Sequence, residues 1–361
     1  MRLSSKTKGL FLVLSLFGTT TIYMSGIIPS MAGGTPIAQL LALKGGVATA
    51  VTWSSDGQKL AAYGNYGQSV EVWTKDGRHI TTMSRTGFDI PYIYDSISFI
   101  NDDHFILTPP DGTSLQNQKL TLSLWSTGTG KVIRNVDGPD PGADWLSNFA
   151  YLFAVSTNDK FVVAVTRTNQ NVSVFPVKEW DHPVKLRLRE QDNSGIVSIT
   201  ISSDGLLVGL GNVSGQVSIY DAKTGQFTYA IQAYDQIHMT PVQSLSFNPE
   251  GTEIATGAGA GIASSETATP VRVWSAKDGR LIRAFEESNL QPIRNLKWSL
   301  TGEYIGFSSI DDKLRIWNQI TGKKRYVSLS DRGSMCLAFS PDGRSLAFCD
   351  GNNVKILKLT D

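Results

Sequence analysis

Cysteine is nearly absent from this chain: Cys336 and Cys349 are its two copies in 361 residues. That number excludes zinc ribbons and dense disulfide frameworks. Neither sign of charge is in excess, with 33 Lys and Arg against 32 Asp and Glu. The strong basic surplus of a nucleic-acid-binding domain is missing, so no nucleic-acid partner is expected. Histidine is scarce too. His79, His104, His182 and His238 show no paired ligand spacing, and neither His-Glu-x-x-His nor Gly-x-Ser-x-Gly occurs. No metal and no cofactor is expected, a metal assembled from separate repeats being the exception. Long stretches of helical period are also lacking.

What the chain does have is 34 glycines, 9% aromatic residues and many short alternating apolar runs closed by turn residues. Those are the marks of an all-β protein. The first 32 residues read differently. Arg2, Lys6 and Lys8 precede an uncharged stretch from Gly9 to Ile28 with its apolar heart at Leu10 to Phe17, and Ser30-Met31-Ala32 offers small residues for cleavage. Basic, apolar, small is the order of an export signal. About 20 residues can also span a bilayer, so an uncleaved anchor is the alternative. Thr19, Thr20, Thr21 and Ser25 weigh against it, and no cysteine lies where a lipoprotein would need one. Either way residues 33–361 are expected outside the cytoplasm, in the periplasm or secreted, meeting a membrane only through an uncleaved N-terminal segment.

From there one pattern recurs. An alternating strand, Ala50 to Trp53, meets the turn Ser54-Ser55-Asp56-Gly57, then Lys59 to Tyr63, then Val70-Glu71-Val72-Trp73. Ser203-Asp204-Gly205, Pro249-Glu250-Gly251 and Pro341-Asp342-Gly343 repeat the turn, and looser copies stand at Asn101, Thr157 and Leu300. From Asp56 to Asp342 the turns recur about every 48 residues, near the period of a propeller blade. The third strands end at Trp73, Trp125, Phe175, Tyr220, Trp274, Trp317 and Leu357. Seven large apolar ends could form a stacking surface, but blade cores need such groups, so burial is expected. The seventh copy stops short of a fourth strand. Pro36 to Leu43, an apolar run, is expected to pair with the outer edge of the last blade and close the ring, sparing two open edges.

The Ser-Asp-Gly and Pro-Asp-Gly turns and the endings Val271-Arg272-Val273-Trp274 and Leu314-Arg315-Ile316-Trp317 resemble the WD40-repeat family. The resemblance runs from about Pro36 to Asp361. It implies an all-β, seven-bladed β-propeller of four-stranded antiparallel blades, completed in the last blade by an N-terminal strand. The chain departs from the family in places. Only Tyr220-Asp221 keeps an acid after the aromatic, only Asp311 matches the acid before the third strand, and His238 is a partial match to the family's histidine. The family's side-chain hydrogen-bond tetrad is therefore mostly missing. The departures point to a diverged, bacterial, extracytoplasmic branch.

Other clusters read as structural. Gly257 to Gly261 lacks the following helix of a dinucleotide loop and reads as a hairpin insertion. Asp137, Asp140 and Asp144 fit no calcium loop. Cys336 and Cys349 flank the turn Pro341 to Arg344 at matching distances, so they face each other across a hairpin. Buried free thiols are the preferred reading, with a disulfide the alternative.

In a propeller the links between blades share one face with the turns joining second and third strands. The between-blade links here are long, carry more acid than base, and hold Phe88, Tyr92, Tyr94, Trp145 and Tyr234. Aromatics on loops over a rigid scaffold suit recognition; folding back onto the blades is the competing reading. The opposite face holds turns with Lys75, Arg78, Lys277, Arg280, Lys323 and Lys324. The expected function is a non-catalytic scaffold for a protein partner. A propeller hydrolase or lyase, with a metal over the central channel, is the alternative. It would need several Asp, Glu, His or Asn side chains converging at the channel mouth. A spacer role beside an anchored partner comes third.

Overall fold

The computed structural model describes residues 37–42, 47–64, 69–84, 97–100, 104–108, 120–137, 150–166, 171–192, 195–234, 239–260, 271–287, 290–330 and 336–359. Seven antiparallel sheets of four strands stand around a channel, the seven-bladed propeller anticipated from the repeats. In blade 4 the strands are Ile196–Ile201, Leu207–Asn212, Gln216–Asp221 and Phe227–Gln232, ordered from channel to rim. The other blades repeat that order. We call the end with the between-blade links and second-to-third turns the upper face. The first-to-second and third-to-fourth turns form the lower face.

The repeated turn explains itself. At the first copy, Ser54 Oγ donates to Asp56 Oδ1 at 2.6 Å, and the same carboxylate accepts from Gln58 N at 2.8 Å. Ser54 Oγ in turn accepts from Lys59 N at 2.8 Å, locking the next strand in register. Gly57 takes φ +66°, which a β-carbon disfavours. Ser202 with Asp204, and Ser340 with Asp342, repeat these bonds. At Gly205 a β-carbon would also lie 2.2 Å from Phe161 Cδ2, so this glycine lets blade 4 close against blade 3.

Each hydrophobic cluster belongs to two neighbouring blades rather than one. Trp73 and Leu60 of blade 1 pack with Cys349 and Val354 of blade 7; Trp317 of blade 6 packs with Phe285 and Val271 of blade 5. The strand-ending residues Trp73, Trp125, Phe175, Tyr220, Trp274, Trp317 and Leu357 are all buried, in the inter-blade cores and not on a stacking surface. Fully burying each such side chain contributes roughly 1.5–3 kcal/mol, so the ring is held by its interfaces.

Ring closure follows the expected route. Ile37–Ala42 runs antiparallel to Asn353–Lys358, with Ile37 opposite Leu357 and Ala42 opposite Asn353. It supplies the outermost strand of blade 7 and runs upward, so the chain enters the propeller at its lower face. The two cysteines face each other as their spacing implied, with Cα atoms 5.4 Å apart, but they are joined as a disulfide. The preferred reading of free thiols is corrected: facing positions at that separation suit a bond. The bond crosses the inner hairpin of the closing blade and lies in the core shared with blade 1.

Candidate functional site

Two regions could carry function, the channel and the upper face. The first strands of all seven blades wall the channel, which encloses about 230 Å³. Its polar lining is Thr52, Ser98, Thr200, Ser246, Asn295 and Lys297, with further hydroxyls at its lower mouth. No carboxylate or imidazole lines it among the described residues. Nor do three or more His, Cys, Asp or Glu side chains gather there in a metal-binding group.

Several first-strand hydroxyls already have a structural task. Blades 4 and 5 each carry a register shift near the top of the first strand, between Ile196 and Ser198 and between Val242 and Ser244. Such a bulge re-aims the next side chain. Ser198 Oγ donates to Val242 O at 2.6 Å, linking blade 4 to blade 5. Ser244 Oγ donates to Leu296 O and accepts from Leu296 N, linking blade 5 to blade 6. Ser246 Oγ accepts from Trp298 N at 3.1 Å. At the ring's seam Trp53 Nε1 donates to Ala338 O at 3.1 Å. The inner wall is thus stitched blade to blade.

On the upper face the structure corrects one expectation. Tyr234 is not a surface anchor: it is 3% exposed. Its hydroxyl meets Thr256 Oγ1 at 2.9 Å, and Trp274 Nε1 donates to the same oxygen at 3.0 Å. The Arg272 guanidinium covers its ring at 5.2 Å and donates to Ala233 O. Burial pushes the phenol's pKa up. Tyr234 folds back onto blade 5, where Thr256 gives its hydroxyl a buried hydrogen-bond partner. Phe88, Tyr92, Tyr94 and Trp145 lie outside the described residues, as do His238, Asp140 and Asp144.

Blade 5 is one case of a wider device. In blade 4, Asp192 of the preceding link is buried and accepts from Ser218 Oγ at 2.6 Å, Tyr220 Oη at 2.5 Å and Arg189 Nε at 3.0 Å. Burial opposes its charge, but the bonds from Arg189, Ser218 and Tyr220 outweigh it and hold the carboxyl below the usual aspartate range. In blade 6, Arg315 is 1% exposed and donates to Glu287 of the link at 2.7 Å, to Asp311 at 2.7 Å and to Ser309 at 2.8 Å. Burial works against the guanidinium's charge, and the two carboxylates more than offset it, raising its pKa. In blade 7, Asp350 accepts from Ser330 N at 2.7 Å and pairs with Lys355. Ser218, Arg272, Arg315 and Lys355 all stand two residues before the strand-ending large residue. From that position each helps latch the incoming link to its blade. The sequence signal of these latches was present but unread: the same position is polar in every copy, also at Glu71, Ser123 and Ser173.

Comparison with known proteins agrees with this architecture. Residues 144–297 match the family model of the nucleolar protein 10-like, N-terminal domain. WD repeat-containing protein SL1-17 of Schistosoma mansoni is 29% identical over 170 residues, 47% of this chain and 48% of its own length. The chain is a seven-bladed β-propeller and is similar in sequence to WD-repeat proteins. Pre-mRNA-processing factor 19 of Dictyostelium discoideum is 22% identical over 184 residues, 49% of this propeller and 34% of that protein. This chain therefore spans about half or less of the length of these curated relatives. A chain of a crystal structure of the mitotic checkpoint complex superposes with a TM-score of 0.70 at 18% identity, covering 98% of this propeller and 99% of that chain. That likeness concerns the fold. These named relatives are eukaryotic, so the expected bacterial origin finds no support in them.

Proposed function

We propose that this propeller is a non-catalytic scaffold that presents its upper-face links to a protein partner outside the cytoplasm. The channel wall carries the reading. Among the described residues it offers hydroxyls, one amide and one lysine, with no acid–base pair or metal-ligand set of the kind a propeller hydrolase or lyase would use. The recognition residues we assign are Phe88, Tyr92, Tyr94 and Trp145. Pro91, Pro139 and Pro141 lie near them in sequence, and proline restricts the backbone φ angle. Export rests on the basic, apolar and small residues of positions 2–32. The Cys336–Cys349 bond suits an oxidising compartment.

Affinity recovery from an envelope or secretory extract, followed by mass spectrometry, tests the proposal. Tyr92→Ala and Trp145→Ala should each weaken capture of the recovered partner by about thirtyfold, the effect of removing an anchor worth about 2 kcal/mol. The melting temperature should stay unchanged. If both variants unfold, or both capture the partner as well as the parent does, these aromatics are packing residues and the reading fails.

A further inference from the structure

Each first strand places one residue at the same height in the channel. In blade 1, Trp53 pairs with Leu60, which pairs with the strand-ending Trp73, and Thr52 lies one residue above Trp53. The same count gives Ser98, Ala154, Thr200, Ser246, Lys297 and Ala338 in blades 2 to 7. All seven line the channel. The layer therefore holds four hydroxyls, two methyl groups and a single ammonium.

The equivalent positions show that packing does not call for a lysine here. Alanine serves in two blades and serine or threonine in four, whereas blade 6 carries a long charged side chain that is exposed in the channel wall. No carboxylate lines the channel among the described residues. A cleft with one sign of charge and low-dielectric walls focuses its field and concentrates counter-ions.

The hydroxyls can serve the same ligand. Thr52 Oγ1 donates to Trp53 O at 3.3 Å, Ser98 Oγ to Phe99 O at 3.0 Å and Ser246 Oγ to Phe247 O at 3.3 Å. These are bonds to the next residue's carbonyl. A hydroxyl proton rotates to suit its acceptor, and a bond to an anion is roughly twice as strong as one between neutral groups. Ser246 Oγ also accepts from Trp298 N, so its lone pair is engaged while its proton can turn to a ligand. Asn295, two residues above Lys297 on the same strand, adds an amide to the lining. The channel's 230 Å³ far exceeds the roughly 10–15 Å³ that one water needs. A small oxyanion fits there with water bridging it to the more distant hydroxyls.

We propose that this layer binds one small tetrahedral oxyanion from solution, of the phosphate or sulfate class. Lys297 is its counter-charge, and Ser246, Thr52, Thr200 and Ser98 donate to it directly or through water.

Isothermal titration calorimetry of the full-length protein with inorganic phosphate tests this. Chloride is adjusted to hold ionic strength constant, so that screening does not change along the titration. The parent should saturate at one phosphate per chain, with sulfate competing. Lys297→Met keeps the stem and should raise the Kd about tenfold or more. Thr52→Val/Thr200→Val keeps both shapes and should raise it by roughly tenfold, the effect of lost hydrogen bonds to a charged group. Lys277→Met, at an exposed turn, should leave it unchanged. Melting temperatures in phosphate-free buffer show that each variant is folded. No saturable binding to the parent, an unchanged Kd in Lys297→Met, or equal losses in Lys297→Met and Lys277→Met would overturn the proposal. The last two results would place the anion on surface lysines. Partner capture by the upper-face links is measured separately, so either proposal can fail alone.

Discussion

Equilibrium unfolding in guanidinium chloride, with and without a thiol reductant, measures what the Cys336–Cys349 bond contributes. The cross-link closes a loop with a sequence separation of 13. In the chain-entropy description, freeing a loop of that size in the unfolded state costs the folded protein about 3 kcal/mol at 25 °C. The site makes the loss local as well. The sulfurs lie against Val51, Leu60 and Trp73 at the junction of blades 7 and 1, and the same blade holds the closing strand. Reduction leaves the packed atoms in place, so no cavity term is added. Samples unfolded and refolded under reductant should therefore show a midpoint lower by about 0.5 M, taking a denaturant slope near 6 kcal/mol/M for a domain of this size. Amide exchange should accelerate first in residues 37–42 and 336–359. Cys336→Ala/Cys349→Ala should start less stable and show no response to reductant. A reductant effect under about 1 kcal/mol, or the same effect in the double variant, would refute this account.

Three further outcomes follow from other parts of the fold. Arg315→Ala should destabilise the protein by roughly 3–5 kcal/mol, because Glu287 and Asp311 would lose a buried partner; unchanged denaturant stability would show that the cluster is not coupled to folding. Asp192 titrates below its ordinary range, so its stabilisation is present above about pH 3.9, the unfolded aspartate value, and is lost as pH falls through the folded value. Asp192→Asn should accordingly be less stable at pH 7 yet lose less stability between pH 5 and pH 2; parallel acid-unfolding curves would contradict that sign. Deleting residues 36–43 leaves the third strand of blade 7 as an open edge, and light scattering should report aggregation below the parent's melting temperature. A deletion variant that melts like the parent would remove the ring-closing role from this strand.

The fold was legible because its rules are local and repeated. Ser54, Asp56 and Gly57 each have a separate reason to be in their turn, and Trp73 or Trp317 marks where a strand enters an inter-blade core. Even the facing of Cys336 and Cys349 followed from counting across one hairpin. Whether two facing sulfurs are bonded is a matter of chemistry that spacing leaves open. Tyr234 was read as an exposed anchor because loop position and aromatic character say nothing about a partner 22 residues away, and Thr256 decided it. The latches were missed for a related reason: Asp192 with Ser218 and Glu287 with Arg315 use different residue types for one task.

The pairing of Ile37–Ala42 with Asn353–Lys358 also sets a timetable. The first strand made is the last to find its place, since its partner is synthesised at the other end of the chain. At about 5–20 residues per second, the wait is on the order of tens of seconds. Six blades can assemble during that interval, but the seventh cannot close. A nascent propeller is thus an open arc with an apolar strand unpaired at its leading end. Ring closure is thereby deferred until the third strand of the last blade has been made.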